Sequence, residues 1–208
     1  MTIGLKVGAT RFDQWVRAFG FGRATGVDLP GEASGIVPRL QDYSGSSMGN
    51  LPIGQGLAVT PLQIAAAYGA IANGGLLPRP HVIASVAGKK IHQAPARRVI
   101  SPTVAATVRQ MLEGVLAPGG TASEVSIPGY QLAGKTGTAN KPDPTTGGYS
   151  ETKFVSSFVG FAPARNPRLL VAVMVDEPQG EVLGGAVAAP AFQQIASFAL
   201  PYLGIGPG

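Results

Sequence analysis

The residues best suited to chemistry lie between Gly129 and Thr138, in the run GYQLAGKTGT. Gly129, Gly134, Lys135 and Thr136 satisfy the phosphate-loop pattern GxxxxGKT. Such a loop binds nucleotide by turning consecutive backbone N–H groups toward phosphate oxygens, and a helix opening at the Lys-Thr pair adds its positive end. Here the residues after Lys135 read TGTANKPDPTTGG, with two prolines and three glycines, and no helix of useful length survives that composition. Tyr130 to Ala133 reads as strand, and Pro128 sits where a preceding central strand would need a donor. Leu169 to Glu177, LLVAVMVDE, imitates the acid-terminated strand that holds magnesium in such ATPases, but buried strands ending at a carboxylate are common. Nucleotide binding stays as the disfavoured alternative.

An extended GYQLAGKTGTA accounts for the same residues. Side chains alternate along a strand, so Ala133, Lys135 and Gly137 share one face while Leu132, Gly134, Thr136 and Thr138 share the other. Gly137 leaves a gap beside which a peptide can lie as an added strand. Lys135 supplies positive charge, and the Thr136 or Thr138 hydroxyl can hold a terminal carboxylate. An isolated Lys-Thr-Gly triplet is equally an exposed strand whose lysine solubilises an edge, so the surrounding sequence decides.

That sequence resembles the transpeptidase domain of class B penicillin-binding proteins, the monofunctional enzymes that crosslink septal or side-wall peptidoglycan. The resemblance runs through FGFGRATGVDLPGE (19–32), NLPIGQGLAVTPLQIAAAYGAIANGG (50–75), IPGYQLAGKTGTA (127–139), SFVGFAPA (157–164) and GGAVAAPAF (184–192). Val182-Leu183 departs from it, where many relatives carry aromatic residues. Family members carry SxxK, SxN and KTG in that order, and the first two are expected to precede this region. The resemblance therefore implies that residues 1–208 are the C-terminal portion of a transpeptidase domain, with the half bearing SxxK and SxN absent.

The resemblance also implies two-step acyl transfer. The serine of the absent SxxK attacks the D-Ala-D-Ala carbonyl of a stem peptide, and β-lactams acylate the same serine. Lys135 would polarise the site, Thr136, Gly137 and Thr138 would hold the substrate or β-lactam, and the Thr138 N–H would form half of an oxyanion hole. The expected partners are the stem peptide, β-lactams, the missing half-domain, and division or elongation proteins of the envelope. The expected location is the extracytoplasmic face of the bacterial plasma membrane. No cofactor or metal is implied. Without the nucleophile the chain alone is expected to be inactive; a non-catalytic envelope-binding module is the first alternative and a P-loop nucleotide-binding protein the second.

Ser150-Glu151-Thr152-Lys153 matches SxxK. Activation needs the amine about 3 Å from the hydroxyl, which i and i+3 supply on a helix. The continuation FVSSFVGF alternates like a strand, so Ser150 is assigned to a loop and Lys153 to its exit. No SxN triplet occurs.

Composition is consistent with one domain: 208 residues, 45% apolar, and only 13% charged against a usual value of about 25%. Low charge suggests a surface that is normally covered. The net charge of +5 comes from scattered basic residues, without the basic stripe or interleaved aromatics that nucleic acid requires. Absence of cysteine excludes disulfides and thiolate metal sites, and His81 and His92 have no ligand-like partners. Tyr43 to Pro78 carries no charge, yet its helical part is short of the ~20 residues a bilayer needs.

The elements that must position these groups follow from punctuation. A helix is expected over 11–21, ended by Gly20 and Gly22, with Phe12, Trp15, Val16 and Phe19 on one face. A second starts at Thr60-Pro61-Leu62-Gln63, with Thr60 and Gln63 as a capping box, and ends at Asn73-Gly74-Gly75. A third starts at Ser101-Pro102, turns Val104, Val108, Met111, Leu112 and Val115 inward, and stops at Pro118. Strands near 130–139, 154–162 and 168–176 and a last helix over 187–200 complete an α+β layout: an antiparallel sheet flanked by helices, of the β-lactamase/transpeptidase type by resemblance. Residues 140–150 are expected to be a mobile loop, either a lid or a long hairpin connection.

Overall fold

The alternation around Lys135 is realised in a long antiparallel meander. The structure, a computed structural model, describes residues 2–92 and 94–207. It divides into two units: residues through Ala70 with Leu76–Val99, and Ile71–Gly75 with Ile100 onward.

In the first unit α1 (Thr2–Val7) is followed by α2 (Ala9–Ala18), where Asp13, nearly buried, pairs with Arg17 at 2.9 Å and accepts from the Tyr43 hydroxyl. Trp15 stays 44% exposed. Gly20 and Gly22, at φ 94° and 79°, turn the chain after the helix. The 19–32 block folds as a loop tied by carboxylates: Glu32 accepts from the Thr25 amide and hydroxyl and the Gly26 amide, and Asp28 accepts from the amides of Val82 and Ile83. After a single turn, α3 (Ser47–Asn50), comes α4 (Pro61–Ala72). Its N-terminus is the expected capping box, with Thr60 Oγ1 accepting from Gln63 N at 3.1 Å and Gln63 Oε1 accepting from Thr60 N at 2.9 Å. The Gln63 amide also donates to the carbonyls of Arg23 and Ser34, at 2.8 Å each, so this fully buried polar side chain is satisfied. Two short antiparallel pairs complete the unit: β1 (Leu76–Leu77) with β4 (Arg97–Arg98), and β2 (Ser85–Val86) with β3 (Lys89–Lys90). At two residues each they are too brief for any periodicity to announce. No described helix is long and apolar enough to cross a membrane.

The second unit opens with α5 (Pro102–Glu113), capped by Ser101 Oγ, which accepts from Val104 N. Leu112 is buried as expected, with Ala105 beside it and Val108 and Val115 half-buried, whereas Val104 and Met111 are 48% and 69% exposed and lie off the inward face. The helix also ends at Gly114, before Pro118 is reached.

The sheet follows, β5 (Ala133–Asp143), β6 (Gly148–Ala162) and β7 (Leu169–Asp176), in that spatial order. Residues 140–150 are the hairpin connection of the two expectations, but strand rather than loop over most of their length. The strands extend through them, a bulge between Asn140 and Pro142 admits the proline, and only the tip turns, with Asp143 Oδ1 accepting from the Thr145 amide and hydroxyl. Ser150 accordingly sits within β6.

Thr136, Phe158 and Val173 are cross-strand partners, as are Thr138, Ser156 and Val175, and this face carries the helices α6 (Gly184–Val187) and α7 (Ala189–Tyr202). The expected last helix thus begins earlier and breaks at Ala188. Phe158 and Phe192 meet at a ring-centroid distance of 4.9 Å amid buried Ala188, Ala189, Ala196 and Leu200. Gly134 and Gly160 flank Phe158, and a methyl group on either would strike an aromatic ring.

The observed stripe on α5 makes opposite forecasts for neighbouring residues. Leu112→Ala should cost ~2–5 kcal/mol by transfer and cavity terms, while Met111→Ala should stay within ~0.5 kcal/mol. Urea unfolding of the two variants measures the difference; equal losses would contradict the burial pattern.

Candidate functional site

The candidate site is built on β5 because that strand has one partner only. Among the described residues its hydrogen-bonded neighbour is β6 and its other edge is unpaired. Lys135 is exposed there, and its ammonium donates to the Thr136 carbonyl at 2.9 Å and to Thr136 Oγ1 at 3.3 Å. A carbonyl that takes its bond from a side-chain ammonium argues for an orientation away from β6. The two-residue repeat then turns the Thr138 N–H and C=O to the same open edge.

Two hydroxyls are held from the helix face. Thr136 Oγ1 lies 2.8 Å from Thr121 Oγ1. Thr138 Oγ1 accepts from Gly184 N at 2.9 Å, which commits one lone pair and leaves the Thr138 hydroxyl proton to donate outward. Gly137 pairs with Ser157, whose Oγ would stand 2.5 Å from a Cβ at that position, so an alanine there requires the serine to turn away.

Gly184 and Gly185 set how closely α6 approaches. A methyl on Gly184 would strike the carbonyl oxygens of Gly137 and Ser157, and one on Gly185 that of Thr121. The loop leading into this glycine pair is fixed by three bonds. Ser156 Oγ donates to the Val182 carbonyl, and Glu181 accepts from the amides of Val182 and Leu183, each at 2.9 Å. Those amides, Leu183 first and then Val182, hold the Glu181 carboxyl below its usual range against a smaller opposing effect of desolvation. At the loop's start Lys141 bridges Asp176 at 2.9 Å and Glu177 at 2.8 Å. These acids, Glu177 above all, raise the Lys141 pKa.

All four residues expected from sequence, Lys135, Thr136, Gly137 and Thr138, therefore lie together on β5. Sequence reasoning missed Thr121, Ser156 and Glu181, which fix their surroundings. The Gly184-Gly185 pair was visible as a motif but not as a contact. The phosphate-loop alternative loses its geometry: Lys135 is mid-strand, β5 continues to Asp143 where a helix is needed, and Asp176 is engaged by Lys141. The SxxK look-alike is equally disposed of. Ser150 Oγ accepts from the amides of Thr152 and Lys153, and the Lys153 ammonium lies 3.8 Å from Glu177.

The sequence profile described as "Penicillin binding protein transpeptidase domain" matches residues 1–197. Penicillin-binding protein PbpB of Mycolicibacterium smegmatis is 41% identical over 213 residues, covering 96% of this chain and 33% of that protein. Peptidoglycan D,D-transpeptidase FtsI of Escherichia coli K12 is 39% identical over 190 residues, covering 91% and 31%. A crystal structure of penicillin-binding protein 3 from Mycobacterium tuberculosis complexed with ampicillin superposes with a TM-score of 0.91 at 39% identity, over 100% of this chain and 49% of that one. The chain thus spans about a third of the length of these curated relatives.

Two measurements probe the clamp. Gly185→Ala should lower stability by ~1–3 kcal/mol, the usual cost of overpacking, as read by urea unfolding. The Glu181 cap stabilises fully above the unfolded-state pKa and is lost as pH falls through the lowered folded value. The Val182 and Leu183 amide resonances should therefore titrate together below the ordinary glutamate value of 4.5, and Glu181→Gln should abolish that titration.

Proposed function

The chain belongs to the transpeptidase family of class B penicillin-binding proteins, and from that premise we propose that it forms the C-terminal portion of a serine acyltransferase domain that crosslinks peptidoglycan. The observation that carries this reading is the unpaired edge of β5 with Lys135, Thr136 and Thr138 gathered on it. A stem peptide ending in D-Ala-D-Ala lies along that edge as an added strand. The Thr136 and Thr138 hydroxyls receive the terminal carboxylate, Gly137 allows the backbone to approach, and Lys135 contributes positive potential.

The nucleophile is the serine of an SxxK segment contributed from outside this chain. Its hydroxyl oxygen attacks the penultimate carbonyl, the Thr138 N–H and the serine's own N–H stabilise the oxyanion, and the terminal D-alanine departs with its amine protonated. An acceptor amine from a neighbouring stem then releases the serine. A β-lactam, its ring carbonyl standing in for the peptide carbonyl, acylates the same serine. The location that fits this substrate is the extracytoplasmic side of the plasma membrane.

The other edge of the sheet supports the view that the domain is completed by further polypeptide. Among the described residues β7 pairs with β6 alone, and Leu169–Val175 carries no charge. On α7 the stacked pair Phe198 and Tyr202 is 70% and 77% exposed, with Ile195 and Leu203 beside it. Bare edges with apolar flanks are what a partner strand normally covers.

Fluorescent penicillin tests the reading. The 208-residue chain alone should not be labelled, and the polypeptide extended by its upstream reading frame should be. Lys135→Ala in the extended protein should slow acylation by roughly 10²–10³-fold, the range for loss of a charge-stabilising group. An extended protein that carries an intact SxxK and still fails to label would refute the assignment. Saturable, magnesium-dependent ATP binding lost in Lys135→Ala would replace it with nucleotide chemistry.

A further inference from the structure

The positive charge of this chain is concentrated in one unit. Residues through Ala70 with Leu76–Val99 hold ten basic and four acidic side chains, whereas the other unit holds six and seven. Within the basic unit lies a concavity of about 250 Å³ lined by Arg23, Arg79 and Arg97, with Phe19, Leu77 and Pro78 among its apolar walls. None of the three arginines has a carboxylate within ion-pair distance among the described residues. The unit's four acids are occupied elsewhere: Asp13 with Arg17, Asp42 with Arg39, Asp28 with the Val82 and Ile83 amides, and Glu32 with Thr25 and Gly26.

Each arginine is also anchored by a bond that leaves donors for a ligand. Arg79 Nε donates to the Gly26 carbonyl at 2.6 Å, and both of its terminal nitrogens remain. Gly26, at φ 81°, makes that seat possible, because a Cβ there would stand 2.9 Å from Arg79 Nε. Arg97 Nη2 donates to the Ala18 carbonyl at 2.6 Å. The Arg23 backbone is held through its carbonyl by the buried Gln63 amide. Three arginines without a carboxylate partner line one hollow, and together they carry more donors than a single carboxylate can accept. A tetrahedral oxyanion with several oxygens satisfies them.

We propose that this concavity is a binding site for a polyvalent phosphate group, carried either by a free diphosphate or by an anionic lipid head. The site belongs to a different unit from β5 and does not rest on the transpeptidase reading.

Isothermal titration of the full chain with sodium pyrophosphate in 0.15 M NaCl should give saturable one-to-one binding. Arg23→Gln, Arg79→Gln and Arg97→Gln should each weaken it about tenfold, as loss of a charge-assisted bond does. All three side chains are exposed, so circular dichroism of the variants should match the parent. Lys89→Gln and Lys90→Gln, in the β2–β3 pair, should leave the affinity unchanged. Phosphatidic acid vesicles, whose phosphomonoester head is polyvalent, identify the lipid head as the source if they compete with pyrophosphate; vesicles that do not compete identify the free oxyanion. Non-saturable binding, or three arginine variants that bind like the parent, would overturn the proposal.

Discussion

One hydrogen bond shows what the site's construction depends on, the bond from the Gly184 amide to Thr138 Oγ1. It holds β5 from the helix face without touching its outer edge. A strand can offer its backbone to a ligand only if that edge stays unpaired, yet an unpaired edge is the least restrained part of a sheet. Here the restraint comes from the other sides: β6 along the inner edge, and α5 and α6 packed on the strand. The glycines make this possible. Gly184 and Gly185 let α6 close on the carbonyls of Gly137, Ser157 and Thr121, while Gly134 and Gly160 leave room for the Phe158–Phe192 rings.

The two edges of the sheet differ in a way that separates their uses. β5 carries Lys135, Lys141 and Pro142 and a bulge at Asn140/Pro142, the features by which edges resist pairing with other sheets. β7 carries none of these until Asp176. A strand defended against indiscriminate pairing but furnished with hydroxyls and an ammonium suits a small, specific ligand. An undefended apolar strand beside exposed Phe198 and Tyr202 suits permanent burial. The low charge fraction of the chain is consistent with the same division.

Legibility in the sequence followed the range of the forces involved. The capping box at Thr60 and Gln63 and the cap at Ser101 are local bonds between residues three apart, and both were readable. The alternation at Lys135 was readable because period two survives any environment. The inward face of α5 was readable only in part: Leu112 turns inward as expected, but Val104 and Met111 are as apolar, and only contacts remote in sequence decide that they do not. The strand content of the 140–150 hairpin was not readable, because Pro142 and the glycines signal a loop, while the bulge that accommodates the proline depends on the opposite strand. Thr121, Ser156 and Glu181 had no signal, since an isolated hydroxyl or carboxylate acquires its role only from the backbone brought to it over tens of residues.

The ambiguity of Gly-Lys-Thr is resolved by spacing rather than by composition. A phosphate loop brings consecutive amides toward one point, so that several reach oxygens of a single group. On a strand, amides facing one edge recur every second residue, ~6.6–6.8 Å apart, too far for two of them to share one phosphate. That interval is the repeat of another extended chain. Lys135, Thr136 and Thr138, held on β5 in this geometry, therefore present donors at the intervals of a peptide. In the other unit three arginines, remote in sequence, line one hollow, an arrangement no single strand can supply.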